Sequence, residues 1–174
     1  MLKSEIRQQI RNLKRQFTPQ QLEELSLPII ARLKPELSEA QVVMAYYSLH
    51  DEVCTHQLID ALVAEGKTVV LPRVVDAERM ELRRYTGIQD LREGALHVME
   101  PQGELYTDYA RIDIVLVPGV AFDASGRRLG RGRGYYDRFF QQLSGVRLIG
   151  VCFDFQKLPE VPVDVFDVPV DMVI

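Results

Sequence analysis

Residues 112–139 read IDIVLVPGVAFDASGRRLGRGRGYYDRF, and the fold class turns on them. Apart from Asp113, Ile112–Val117 is an apolar run rich in β-branched residues and cut off by Pro118-Gly119, the pattern of a strand buried on both faces. A glycine- and arginine-rich loop follows, and Tyr135–Leu143 then has helical spacing. Strand, loop and helix in that order form the repeating unit of a parallel α/β sheet.

The rest of the chain extends this unit in both directions. Upstream, Gln41–Ser48 and Thr68–Leu71 read as strands on either side of a helix at Leu58–Ala64 that Gly66 stops. Met80–Tyr85 reads as an exposed strand, and residues 86–111 as irregular, punctuated by Gly87, Gly94, Pro101 and Gly103. Downstream, Arg147–Phe153 and Val170–Ile174 supply further strands. At the amino end, Leu2, Ile6, Ile10, Leu13 and Phe17 recur at spacings of three and four, which predicts an amphipathic helix over residues 2–17. Lys3, Arg7, Arg11 and Lys14 form a basic stripe beside its apolar one. Thr18-Pro19-Gln20-Gln21 carries the signals of a helix start, Pro28 predicts a kink, and Pro35 ends that second helix. The expected architecture is one domain over residues 1–174, a three-layer α/β fold with a largely parallel central sheet and helices on both faces.

Composition removes several alternatives. With 174 residues, 47 % hydrophobic and 26 % charged, the chain can bury a core and is neither disordered nor collagenous. Its apolar runs are strand-sized, well short of the ~20 residues of a membrane span, and the first fifteen residues lack the continuous apolar centre of a secretory signal. Two cysteines, Cys54 and Cys152, suggest no disulfide framework and a reducing cytoplasmic setting. Cys54, His56 and His50 fall short of the four ligands of a structural zinc site.

The net charge of −4 is unevenly distributed. Residues 1–15 set Lys3, Arg7, Arg11, Lys14 and Arg15 against Glu5, and residues 123–138 set five arginines against Asp123 and Asp137. The tail from 154 to 174 sets five acidic residues against Lys157. Two basic patches on a mildly acidic protein suit a small anionic ligand better than a general nucleic-acid surface. The loop is shaped for such a ligand. Gly126, Gly130, Gly132 and Gly134 leave room for backbone amides to approach an anion, and Arg128, Arg131 and Arg133 offer guanidinium forks. Tyr135 and Tyr136 can stack or donate a hydroxyl, and Asp137 is placed where a carboxylate could hold magnesium against phosphates. Together these suggest a nucleoside-triphosphate site, although the loop matches neither G-x-x-x-x-G-K-[ST] nor G-x-G-x-x-G. A solvated flexible loop and an arginine-glycine RNA contact are the other readings of the same composition.

PGVAFDASGRRLGRGRGYYDRF closely resembles the signature of the 5-formyltetrahydrofolate cyclo-ligase family, also called methenyltetrahydrofolate synthetase. The resemblance extends to Lys3 and Arg7, Tyr46-Tyr47-Ser48 through Asp51-Glu52-Val53-Cys54-Thr55, Leu71-Pro72-Arg73, Met80, Glu100-Pro101, and Val161-Pro162 through Asp167 and Asp171. It implies a fold like that of ribose-5-phosphate isomerase and CoA-transferase relatives. It also implies an ATP- and magnesium-dependent closure of 5-formyltetrahydrofolate to 5,10-methenyltetrahydrofolate, with ADP and phosphate released. By resemblance the ATP site takes Lys3, Ser4, Glu5, Ile6 and Arg7 from the first helix, and Arg128, Leu129, Gly130, Arg131, Gly132, Arg133, Gly134, Tyr135 and Tyr136 from the loop. The folate site takes Arg7, Tyr47, Glu52 and the Arg131–Tyr135 stretch; Arg131, Arg133 and Tyr135 carry catalysis, and Asp137 and Asp167 hold magnesium. Arg133 stands where many relatives carry lysine, and Tyr47 where a relative can carry an aliphatic residue. The expected partners are these small molecules, with no nucleic acid or membrane, and the expected state is a monomer. A sugar-phosphate isomerase or CoA-transferase relative, and a non-catalytic nucleotide- or RNA-binding module, are the alternative readings.

Overall fold

A computed structural model describes all 174 residues. Helices α1 (Lys3–Lys14) and α2 (Pro19–Leu33) precede strand β1 (Val42–Met44), helix α3 (His56–Ala64), and strands β2 (Thr68–Val74) and β3 (Met80–Tyr85). Next come strands β4 (Leu91–Glu93), β5 (Met99–Pro101), β6 (Leu105–Tyr106), β7 (Ile114–Val117), β8 (Ala121–Phe122) and β9 (Arg128–Leu129). Helix α4 (Tyr135–Phe140) and strands β10 (Arg147–Gly150) and β11 (Met172–Val173) complete the chain.

Seven strands form one sheet in the order β11-β10-β7-β1-β2-β3-β6, parallel from β11 to β2 and antiparallel beyond. Side chains alternate between its faces. Val43, Ala45, Val69, Leu71, Ile114, Leu116 and Ile149 point to the side covered by α2 and α3. Val42, Met44, Val70, Val115, Val117 and Leu148 point to the side covered by Phe139 and Phe140 of α4. The three layers and the mostly parallel sheet match the expected class. α1 lies apart from both cores and buries Ile6 and Ile10 against Ala121, Leu129 and Val161.

Some expectations change. The strand expected over Gln41–Ser48 stops at Met44, because the chain turns away and is pinned by side chains. Thr55 Oγ1 donates to the Tyr46 carbonyl at 2.6 Å, and Ser48 and Thr55 exchange amide-to-hydroxyl bonds. Met80–Tyr85 is half-buried, with Met80, Leu82 and Tyr85 turned inward, because β6 continues the sheet beyond it. Residues 86–111 are ordered, with β4 and β5 forming a hairpin. The second helix runs through Pro28 to Leu33; Thr18 Oγ1 and Gln21 cap its start as expected, and Pro35 falls in the 3₁₀ turn after it. None of the helices is long and apolar enough to cross a membrane.

Candidate functional site

β1 and β7 are parallel neighbours whose onward connections run in opposite directions: β1 leads through α3 to β2, and β7 through α4 to β10. Their carboxyl-end loops therefore part and leave a crevice, the topological switch point where open α/β sheets bind ligands. Residues 45–55 form one wall. The other is residues 118–134, which include the β8–β9 hairpin that short strands had hidden in the sequence. α1 packs on that hairpin, and so brings its basic stripe to the crevice.

The charges meet there. Arg7 Nε donates to the Gly130 carbonyl at 2.9 Å. Arg131 reaches across to Asp51 Oδ1 at 3.4 Å and Glu52 Oε2 at 3.7 Å. The other oxygen of Glu52 accepts from the Leu49 amide at 2.8 Å, which fixes the carboxylate. Lys14 approaches Asp51 at 3.9 Å with a side chain 10 % exposed; burial lowers its ammonium from the ordinary value against the pull of Asp51 and Glu52. Composition had marked Lys14 only as one of a basic stripe. Its pairing with Asp51 is visible only once α1 is docked. Arg133 is exposed, and its carbonyl accepts from Arg138 Nη2 at 2.7 Å.

The carboxyl-terminal strap closes the far side. Lys3 Nζ pairs with Asp167 at 2.8 Å and Asp164 at 3.0 Å. The hydrogen bond that Lys3 donates to Asp167 leads in raising its ammonium above the ordinary value. Asp137 Oδ1 accepts from the Val168 amide at 3.0 Å, and its Oδ2 lies 3.7 Å from Arg128. Asp137 and Asp167 thus flank the same strap, and no group of three or more His, Cys, Asp or Glu side chains is placed to hold a metal ion. Asp137 Oδ2 and Asp167 Oδ1 accept no hydrogen bond, so each carboxylate keeps one oxygen that could serve an ion whose other ligands would come from phosphate and water, the usual manner of magnesium at nucleotides.

The other expected site residues divide between surface and interior. Ser4 is exposed, and Glu5 spends its carboxylate on the Leu2 amide at the start of α1. The side chains of Ile6, Leu129 and Arg128 are buried beneath the loop. Tyr136 lies against Arg128 and Phe140, while Tyr135 lies under Arg138. Gly132 and Gly134 occupy the exposed turn into α4. Tyr47 stacks on His56 with ring centroids 3.8 Å apart, and His56 Nε2 is 2.9 Å from the Ser48 carbonyl. Sequence reading had Tyr47 as a contact but missed His56 as its support. Of the three loop arginines read as ligand forks, Arg128 is buried, Arg131 is ion-paired but half-exposed, and Arg133 is exposed.

Fold and site define a mostly parallel α/β protein whose switch point gathers Arg7, Lys14 and Arg131 beside Asp51 and Glu52. The chain belongs to the 5-formyltetrahydrofolate cyclo-ligase family, which it matches over residues 1–174, and is therefore a member of an enzyme family. It is 31 % identical over 173 residues to the 5-formyltetrahydrofolate cyclo-ligase of Escherichia coli K12, covering 95 % of each chain. It is 28 % identical over 186 residues to the mouse 5-formyltetrahydrofolate cyclo-ligase, covering 99 % of this chain and 91 % of that one. Among solved structures, the Aquifex aeolicus 5,10-methenyltetrahydrofolate synthetase superposes with a TM-score of 0.85 at 35 % identity, covering 99 % of this chain and 89 % of that one.

Proposed function

We propose that this protein closes 5-formyltetrahydrofolate to 5,10-methenyltetrahydrofolate at the expense of ATP. One contact carries the reading beyond family membership: Arg131, on the glycine loop, touches Asp51 and Glu52, on the opposite wall. The residues expected to hold phosphate and those expected to hold folate therefore share one edge, as a transfer between the two ligands requires.

The formyl oxygen is a poor leaving group, so it attacks the γ-phosphorus of ATP and ADP departs. Nitrogen 10 then attacks the activated formyl carbon. That carbon–oxygen bond breaks, phosphate leaves with the oxygen, and the nitrogen 10 proton is lost. Such a transfer relies on positioning and charge neutralisation more than on a protein nucleophile. Lys3, Arg7, Arg131 and Arg133 supply positive charge along the triphosphate, and the Leu129–Gly134 backbone supplies amides. Glu52, with Tyr47 braced on His56, orients the folate. Asp137 and Asp167 would hold magnesium, whose charge when bound offsets that of the phosphates.

The test is an absorbance assay of 5-formyltetrahydrofolate with MgATP, following the near-ultraviolet band of the methenyl product. Turnover above a no-enzyme blank is expected, and folded protein without product overturns the reading. Glu52→Ala is expected to raise the folate KM by about tenfold, the loss of one charged hydrogen bond, with nucleotide binding retained; equal loss of both ligands would remove Glu52 from the folate site.

A further inference from the structure

Arg128 is among the most buried charged residues in the molecule, with a side chain 5 % exposed. Its partners are few for a buried guanidinium. Nη1 donates to the Pro118 carbonyl at 3.3 Å, Nη2 stands 3.7 Å from Asp137 Oδ2, and Cζ lies 5.5 Å from the centre of the Tyr136 ring. Nε has no partner at all, alone among the buried side-chain nitrogens and oxygens. Gly130 makes room for this side chain: a Cβ there would fall 2.8 Å from Arg128 Nη1, while one on Gly119 would meet the Phe122 ring at 2.8 Å before Arg128 Cγ at 3.2 Å. A buried charge so loosely paired is poor evidence of a stabilising role, since an apolar side chain of similar volume commonly serves the fold as well or better.

We propose that Arg128 is a positioning residue for phosphoryl transfer. Its guanidinium lies under the glycine loop and joins the Pro118 turn, the Tyr136 ring and the Asp137 carboxylate, the three points between which residues 129–134 are strung. Withdrawn from solvent, it would meet the triphosphate only through the groups it holds: Asp137, one of the two carboxylates that would hold magnesium, and the loop backbone above it. Gly130 is then needed less for a phosphate than for Arg128. This inference rests on the proposed cyclo-ligase reading, and its test keeps the two apart.

Arg128→Gln, Arg128→Lys and Gly130→Ala are compared with the wild-type protein. Binding of a fluorescent non-hydrolysable ATP analogue is titrated at a series of magnesium concentrations, beside steady-state kinetics and thermal melting. Arg128→Gln is expected to raise the magnesium concentration needed for half-maximal nucleotide binding, and to lower kcat by about 10- to 100-fold, the usual cost of removing a group that orients a metal ligand. The folate KM is expected to stay within about twofold, well below the tenfold that a lost binding contact of 1.4 kcal/mol would cause. Arg128→Lys recovers part of the loss, because an ammonium can reach Asp137 or Pro118 but not span both. Gly130→Ala, which removes no charge and pushes on the guanidinium, reproduces the Arg128→Gln phenotype and carries the test if that variant fails to fold.

If the variants lower only the melting temperature and keep the wild-type magnesium dependence, Arg128 is structural and the proposal fails. If nucleotide affinity falls equally at every magnesium concentration while kcat at saturating ATP is unchanged, Arg128 is a direct phosphate ligand and the proposal also fails. A wild-type protein without turnover defeats the cyclo-ligase reading, while the binding titrations still decide the role of Arg128.

Discussion

The two halves of the glycine loop look alike in sequence and do opposite work. From Asp123 to Gly130 the chain is anchored inward, apart from the exposed Ala124 and Ser125. Asp123 accepts from the amides of Ser125, Arg127 and Val161 and from the Ser125 hydroxyl, and Gly126 presses against the Val170 carbonyl. From Arg131 to Gly134 the chain faces out, with Arg131 on the opposite wall and Arg133 in solvent. Alternating glycine and arginine therefore does not mark one phosphate cradle. The first half is a foundation whose glycines admit neighbouring atoms, and the second is the part free to meet a ligand.

The contrast is tested most severely at Arg131. Arg131→Ala is expected to cut turnover by about 100- to 1000-fold, the cost of losing one charge-stabilising donor. Melting should barely move, since its half-exposed ion pairs are worth at most about 1 kcal/mol. A large drop in melting temperature would place Arg131 with the foundation instead. Gly126→Ala should behave in the reverse manner. Its φ of +88° and a Val170 oxygen 2.1 Å from the added Cβ predict a loss of about 3 kcal/mol in denaturant unfolding.

The third test uses acid. Burial alone would raise the Asp123 carboxyl, but its hydrogen bonds from Ser125, Val161 and Arg127 win, and hold it below the ordinary 3.8. A depressed folded value means a contribution that is complete above pH 3.8 and lost as pH falls through the folded value. Wild-type stability should therefore fall more steeply below pH 4 than that of Asp123→Asn, which is expected to be weaker by about 1–2 kcal/mol at neutral pH. Identical slopes in the two proteins would show that Asp123 does not hold the turn. The smallest effect is expected at Gly132, where a Cβ meets nothing nearer than Arg7 at 3.6 Å but φ is +111°. Gly132→Ala should cost about 1 kcal/mol in unfolding, with a weaker nucleotide KM as the larger signal.

These halves also mark the limit of what the sequence made legible. The strand at Ile114–Val117, two residues shorter than the run that announced it, the capped start of α2 and the α/β class could be read directly, because apolar runs and capping residues act locally. Only the resemblance to the family signature assigned Lys3, Arg7, Glu52 and Asp137 to one expected site. The β8–β9 hairpin could not be read, since strands of two residues show no period. Nor could the burial of Arg128, because an arginine between glycines has the same composition whether it faces solvent or a tyrosine ring. The Arg131 contact with Asp51 joins positions 80 residues apart, and the partners of Lys14 depend on where α1 docks. Tertiary packing decides such contacts.

The docking of α1 also carries a consequence for biosynthesis. Helix α1 buries Ile6 and Ile10 against Ala121, Leu129 and Val161, far along the chain, and its Lys3 is secured by Asp164 and Asp167. At roughly 5–20 residues per second, the ribosome leaves this amphipathic segment without its partners for on the order of ten seconds or more. The site therefore cannot assemble progressively from the amino end. It is completed only once residues up to Asp167 have left the exit tunnel, so a nascent chain that stops short of them leaves Lys3 without its carboxylate partners.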